Sequence, residues 1–174
     1  RKAVEVTSYA EVVLAPSSSD LSGPAFSNLF VQTKIVAVQN AIICTRRPRS
    51  AEEHPPWMFH LMTLMDKIPE EISYESDRMK FIGRGNSLVN PKVMQGQGPL
   101  SGNEGSVLDP IVAIRYKFTL DPDETITIDM VTGIAESKEN CQKLIDKYQD
   151  KHHKDRVFEL AKTHSQVVLR QINA

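Results

Sequence analysis

The sequence predicts a mainly β fold, an antiparallel sandwich that runs into two helices. Three observations carry this. Apolar residues alternate with period two over Val4–Leu14 and again over Val112–Leu120 and Ile126–Met130. A 3.6-residue stripe replaces that alternation from Glu136 onward. A run of strands followed by a run of helices is how a sheet-built domain with a helical extension reads.

The first strand is expected over Val4–Leu14, with Val4, Val6, Ser8, Ala10, Val12 and Leu14 on one face and Glu5, Thr7, Tyr9, Glu11 and Val13 on the other. Ala15–Pro24, rich in serine with a glycine and two prolines, reads as a loop. Phe26–Val38 reads as extended, Gln39-Asn40 as a hairpin turn, and Ala41–Thr45 as the returning strand. Arg46-Arg47-Pro48-Arg49-Ser50 opens a proline-rich acidic loop that ends at Pro56. Trp57–Met65 is apolar on both faces, which suits a strand in the middle of the sandwich. Ile72–Ile82 holds a short strand or two. Gly83–Gly105 carries glycines 83, 85, 96, 98, 102 and 105 and is too irregular for a core element, so it is expected to be a functional or mobile loop. Val112–Leu120 and Ile126–Met130, joined by Asp121-Pro122-Asp123-Glu124, read as a hairpin. Ser137 is the expected cap of a helix whose stripe is Cys141, Leu144, Ile145 and Tyr148. A second stripe, Val157, Leu160, Ala161, His164 and Val168, makes the last helix.

Composition bounds the function. At 174 residues the chain is long enough to bury a core without metal or disulfide staples. Its net charge of −1 draws it neither to nucleic acid nor to an anionic membrane surface. No run of about 18 apolar residues is available to span a bilayer. Cys44 and Cys141 lack metal-ligand or redox spacing and read as reduced core thiols. The chain begins at Arg1 and shows no signal peptide, and it is expected to be a piece of a longer protein.

Three constellations bear on chemistry. Arg46, Arg47 and Arg49 put three guanidiniums within four residues; they read as a grip on carboxylate, phosphate or sugar hydroxyls, or as a solvated loop balanced by Glu52 and Glu53. Asp77-Arg78, followed by Gly83-Arg84-Gly85-Asn86, places sugar-binding side chains beside backbone free to turn sharply. The plainer reading is an internal Asp77–Arg78 brace. Histidines and carboxylates (His54, His60, Glu70, Glu75, Asp77) are the types a sugar epimerase uses, though His60 in its apolar strand reads better as a core histidine. His152-His153 reads as solvated.

The ordered blocks EVTSYAEVVLA, PAFSNLFVQTK, CTRRPRS, YESDRMKFIGRGN, SVLDPIVAIRYKF, VTGIAESKENC and THSQVVLRQ cover nearly the whole chain. Together they resemble cyclic β-1,2-glucan synthases, at the β-sandwich preceding the catalytic barrel of a phosphorylase-like region similar to cellobiose and chitobiose phosphorylases. Ser22-Gly23 and Lys34 depart from that pattern.

The resemblance implies an antiparallel super-sandwich of the galactose-mutarotase type over 1–135. It also implies a helical linker over 136–174, leading to an (α/α)6 barrel that this chain lacks. It further implies a non-catalytic, carbohydrate-associated domain without metal or cofactor. The parent would be a bacterial glycosyltransferase and glycoside phosphorylase acting on β-1,2-glucan, with this part on the cytoplasmic side of the inner membrane. The implied partners are the barrel, a β-glucan oligosaccharide and a second copy in a homodimer. Nucleic acid and direct membrane insertion are not among them. The implied substrate-facing residues are Arg46, Arg47, Arg49, Asp77, Arg78, Arg84 and Asn86. A stand-alone carbohydrate-binding module and a mutarotase-like epimerase are the alternatives.

Overall fold

A computed structural model describes residues 1–65, 67–96 and 98–172, the side chains of residues 151, 152 and 154 aside. Strands β1 (Lys2–Thr7) and β2 (Ala10–Glu11) pair antiparallel with the long β8 (Pro110–Leu120), and β6 (Glu71–Asp77) pairs with β8 as well. The second sheet has the order β7 (Gly105–Ser106), β3 (Val31–Val36), β4 (Ala41–Arg46), β5 (Trp57–Leu64) and β9 (Ile128–Ala135), with all pairs antiparallel. The mainly β, two-sheet architecture is the one the alternation predicts.

The expected first strand keeps one register across the break at Ser8-Tyr9. Thr7 faces Arg115 and Ala10 faces Val112, while Ser8 N donates to Ile114 O at 2.9 Å. Its core face, from Val4 to Leu14, meets Ile42, Cys44, Met58, Met62, Val112, Ile114, Tyr116 and Phe118 between the sheets. The β3–β4 hairpin forms where expected, through a one-turn 3-10 helix at Ala37–Gln39. Asn40 closes that turn at φ 50°, a left-handed conformation that Asn tolerates. Central β5 is buried on both faces, because helix α5 (Lys138–Gln149) covers the outer side of its sheet. Ser137 caps α5 by accepting from Asn140 N at 3.1 Å, and Cys141 and Ile145 pack onto Ala41, Ile43, Phe59 and Leu61. The next helix, α6 (Lys151–Gln171), is solvent-exposed from Asp155 onward and leaves the body. Residues 173 and 174, the end of the expected linker, lie outside the described residues.

Three expectations are corrected. The Val112–Leu120 and Ile126–Met130 segments are not a hairpin, since β8 and β9 belong to different sheets. Residues 121–127 cross the sandwich edge, where Lys67 donates to Thr119 O and pairs with Glu124 at 2.8 Å. Alternation specifies which face is apolar but not which strand lies alongside; Phe118 belongs to the core cluster against which Ile126 and Ile128 pack. The expected Ala15–Pro24 loop and the start of the Phe26 strand form two short helices, α1 (Ser17–Ser22) and α2 (Pro24–Asn28). Pro24 stands at the first helical position, where its fixed φ and missing N–H cost nothing.

The third correction concerns Gly83–Gly105, whose second half is tied down. Leu100 is buried in a cluster with Phe81, Ile82, Ile111 and Ala113. Gly102 N donates to Tyr74 O at 2.9 Å and Ser76 Oγ to Asn103 O at 2.7 Å. Arg115, itself buried, donates to Gly98 O and Val93 O.

Candidate functional site

The site grows from the end of β6. Glu75 is almost fully buried. Its Oε1 accepts from Ser76 N and Asp77 N at 3.0 Å, and its Oε2 accepts from Ser101 Oγ at 2.6 Å. This carboxylate sits where the β6–β8 register shifts, between Glu75 and Asp77, and it turns the chain out of the sheet. Asp77 then caps the helical turn α3 (Arg78–Ile82), its Oδ1 accepting from Met79 N at 2.9 Å. Gly83 stops the turn at φ 82°, where an added Cβ would also lie 2.7 Å from the Lys92 side chain.

The turn sets Arg78 in the wall of an open cavity of about 780 Å³. Arg78 Nε donates to Glu11 Oε1 at 3.1 Å, Nη1 lies 3.6 Å from Asp109 Oδ2, and its backbone N donates to Asp109 O at 3.0 Å. Asp109 Oδ1 accepts from Asn28 Nδ2 at 3.2 Å. Tyr9 donates to Glu11 at 3.0 Å and packs against Phe81 with the rings tilted by 41°. Burial, reinforced by the Glu11 carboxylate, pushes the Tyr9 phenol up to about 12, so it stays a donor. Phe26, 61% exposed, supplies an aromatic wall and packs edge-on against Phe30. Two carboxylates, an amide and a guanidinium beside an exposed ring can donate to and accept from vicinal hydroxyls while a sugar's apolar face lies on the ring.

The seven residues expected from sequence do not form one cluster. Asp77 is a helix cap, and Arg78 pairs with Glu11 and Asp109 rather than with Asp77. Arg84 and Asn86 are exposed on the turn after α3, with Asn86 Oδ1 accepting from Gln95 Nε2 at 3.3 Å. The arginine-rich loop splits. Arg46 is the last residue of β4 and is buried, contrary to a solvated loop, with its guanidinium over the Phe30 ring. Arg47 is exposed, its backbone N donating to Phe30 O at 2.7 Å. Arg49 is exposed 6.0 Å from the Phe30 ring centre.

His60 is the core histidine its strand implied. Both ring nitrogens are bonded, to Ser8 Oγ at 2.9 Å and Thr132 Oγ1 at 2.8 Å, and burial lowers it to about 4. His153 lies 3.9 Å from Asp150, while the side chain of His152 lies outside the described residues. No helix among the described residues is long and apolar enough to cross a membrane.

Sequence reasoning missed Glu11 and Asp109 as the partners of Arg78, and Asn28 as the partner of Asp109. A signal existed for two of them. Glu11 is an acid on the solvent face of the first strand, and Asp109 directly precedes the Pro110 that opens β8.

Residues 1–151 match the family model of the glycosyl hydrolase 94 supersandwich domain. The chain is also similar to the cyclic beta-(1,2)-glucan synthase NdvB of Rhizobium meliloti (strain 1021), with 32% identity over 169 residues. That alignment covers 97% of this chain and 6% of the relative, so the chain spans a small part of the protein it matches.

Proposed function

Since the chain belongs to the glycosyl hydrolase 94 supersandwich domain family, we propose that it is the non-catalytic, glucan-facing sandwich of a cyclic β-1,2-glucan synthase. Catalysis belongs to an (α/α)6 barrel elsewhere in that larger protein. The sandwich holds one stretch of β-1,2-glucan while the barrel acts on the chain, and α6 leads toward the barrel. On this reading the domain works on the cytoplasmic side of a bacterial inner membrane.

One observation carries the proposal. Arg78, held by Glu11 of β2 and by Asp109 just before β8, lines the cavity that Phe26 also lines. Held on two sides, the guanidinium keeps its orientation and has donors left for a hydroxyl. Asp77 contributes by capping the turn. Arg84 and Asn86, exposed on the turn that follows α3, stand as outer contacts to a longer glucan.

An epimerase reading has less support. His60 has both nitrogens engaged in the core, and Glu75 is buried under three hydrogen bonds. Neither is free to move a proton on a sugar.

The test is turnover of β-1,2-glucan by the full-length synthase carrying Arg78→Met. Activity should fall by about tenfold or more, the loss of one good charged hydrogen bond. The melting temperature should stay near wild type, because a partly exposed ion pair contributes little. Wild-type kinetics would refute the assignment.

A further inference from the structure

Two arginines are buried to the same degree in this sandwich, each 4% exposed. Arg115 is fully engaged. Its Nε donates to Thr7 Oγ1, Nη1 to Gly98 O and Nη2 to Val93 O, with the Glu5 carboxylate 3.7 Å away. Arg46 is not. Its Nε and Nη2 are shut off from solvent and have no hydrogen-bond partner, and among the described residues no carboxylate pairs with it. The Phe30 ring, 5.4 Å from the guanidinium carbon, covers one face. A guanidinium does not give up its proton, so the charge is present and unpaired, which is among the costliest arrangements in a folded interior.

The two orphaned nitrogens are not a random pair. Nε and Nη2 form one edge of the guanidinium, the fork that takes a carboxylate or phosphate through two parallel hydrogen bonds. Arg46 borders a groove of about 410 Å³. Leu14, Pro16, Pro55, Pro56 and Ile134 line it, together with His54. Three prolines supply no N–H, so a ring bearing hydroxyls all round would leave most of them unpaired there. A ligand with one charged end and an apolar body suits such walls. Glu53 also lines the groove, but its Oε2 accepts from Arg49 N, which ties it within its own loop.

We propose that this groove is an oxyanion site, separate from the Arg78 cavity, in which Arg46 takes a carboxylate or phosphate monoester borne on a small apolar body. The Nε–Nη2 edge binds the oxyanion, and the body lies against the prolines and Ile134. The edge is closed to solvent in the free protein, so the segment 47–56 moves outward as the ligand enters.

The experiment follows melting temperature and heat of binding with four probes at millimolar concentration. Benzoate carries a carboxylate on an apolar body and phenyl phosphate carries a phosphate monoester. Acetate lacks the body and benzyl alcohol lacks the charge. Benzoate, phenyl phosphate or both should stabilise the chain saturably and bind at least about tenfold tighter than the other two. The tighter of the two acids identifies the oxyanion. Arg46→Met keeps the volume against Phe30 and removes the charge. That variant should melt at or above wild type without probe and lose the stabilisation by either acid. Absence of a saturable effect from either acid would overturn the proposal. So would stabilisation that survives in Arg46→Met, or a fall in that variant's melting temperature, which would make Arg46 a structural residue.

Discussion

Ser101 Oγ donates to Glu75 Oε2 at 2.6 Å, and through this bond the glycine-rich segment is fastened to the strand that presents Arg78. The other Glu75 oxygen holds the backbone of Ser76 and Asp77. A buried carboxylate with every bond made is rigid, and one bond short it is costly.

Ser101→Ala should therefore destabilise the chain by about 1–3 kcal/mol, since it leaves a buried carboxylate oxygen unpaired. Denaturant unfolding checks the size. Amide exchange should quicken at Leu100 and Gly102, near the lost bond, and stay unchanged in β5.

His60 predicts a pH dependence. Burial lowers it to about 4 from an ordinary 6.5, so the folded chain keeps it neutral. Between those values the unfolded chain takes up a proton that the folded chain refuses. Its contribution is whole above pH 6.5 and is lost as pH falls toward 4, by about 3 kcal/mol in all. His60→Gln can still bond Ser8 and Thr132, and it should flatten the stability curve across that window. A curve parallel to wild type would remove His60 as the cause.

Gly133 faces Phe59 across the β5–β9 pair, and an added Cβ would lie 2.6 Å from the Phe59 ring. The ring lies over the glycine beneath α5. Gly133→Val should cost about 1–3 kcal/mol by overpacking, read from the denaturant midpoint at unchanged slope. The same change at Gly85 would test backbone strain instead, because nothing lies within 4 Å of its added Cβ but its φ is 79°.

Much of the fold was legible because it is local. The alternation of Val4–Leu14, the apolar Trp57–Met65 run and the Ser137 cap each depend on neighbouring residues, and each appears as read. What sequence could not supply was non-local. Glu11 meets Arg78 across a separation of 67 residues, and no spacing rule links them. The same holds for β9, which joins β5 rather than β8 although its alternation suits either. Arg46 lies one residue past the strand that the sequence predicts, yet β4 continues through it and carries it inside, where arginine is rarely found.

The central claim is that this sandwich holds glucan at Arg78. Its most direct test is a titration of the isotope-labelled chain with linear β-1,2-glucan oligosaccharide, followed by NMR at each backbone amide and at the arginine Nε–H groups. Glucan held at Arg78 should give saturable shifts centred on Arg78 Nε and on the amides of Glu11, Asn28 and Asp109, all lost in Arg78→Met. Shifts confined to other surfaces, or a glucan response that persists in Arg78→Met, would contradict it.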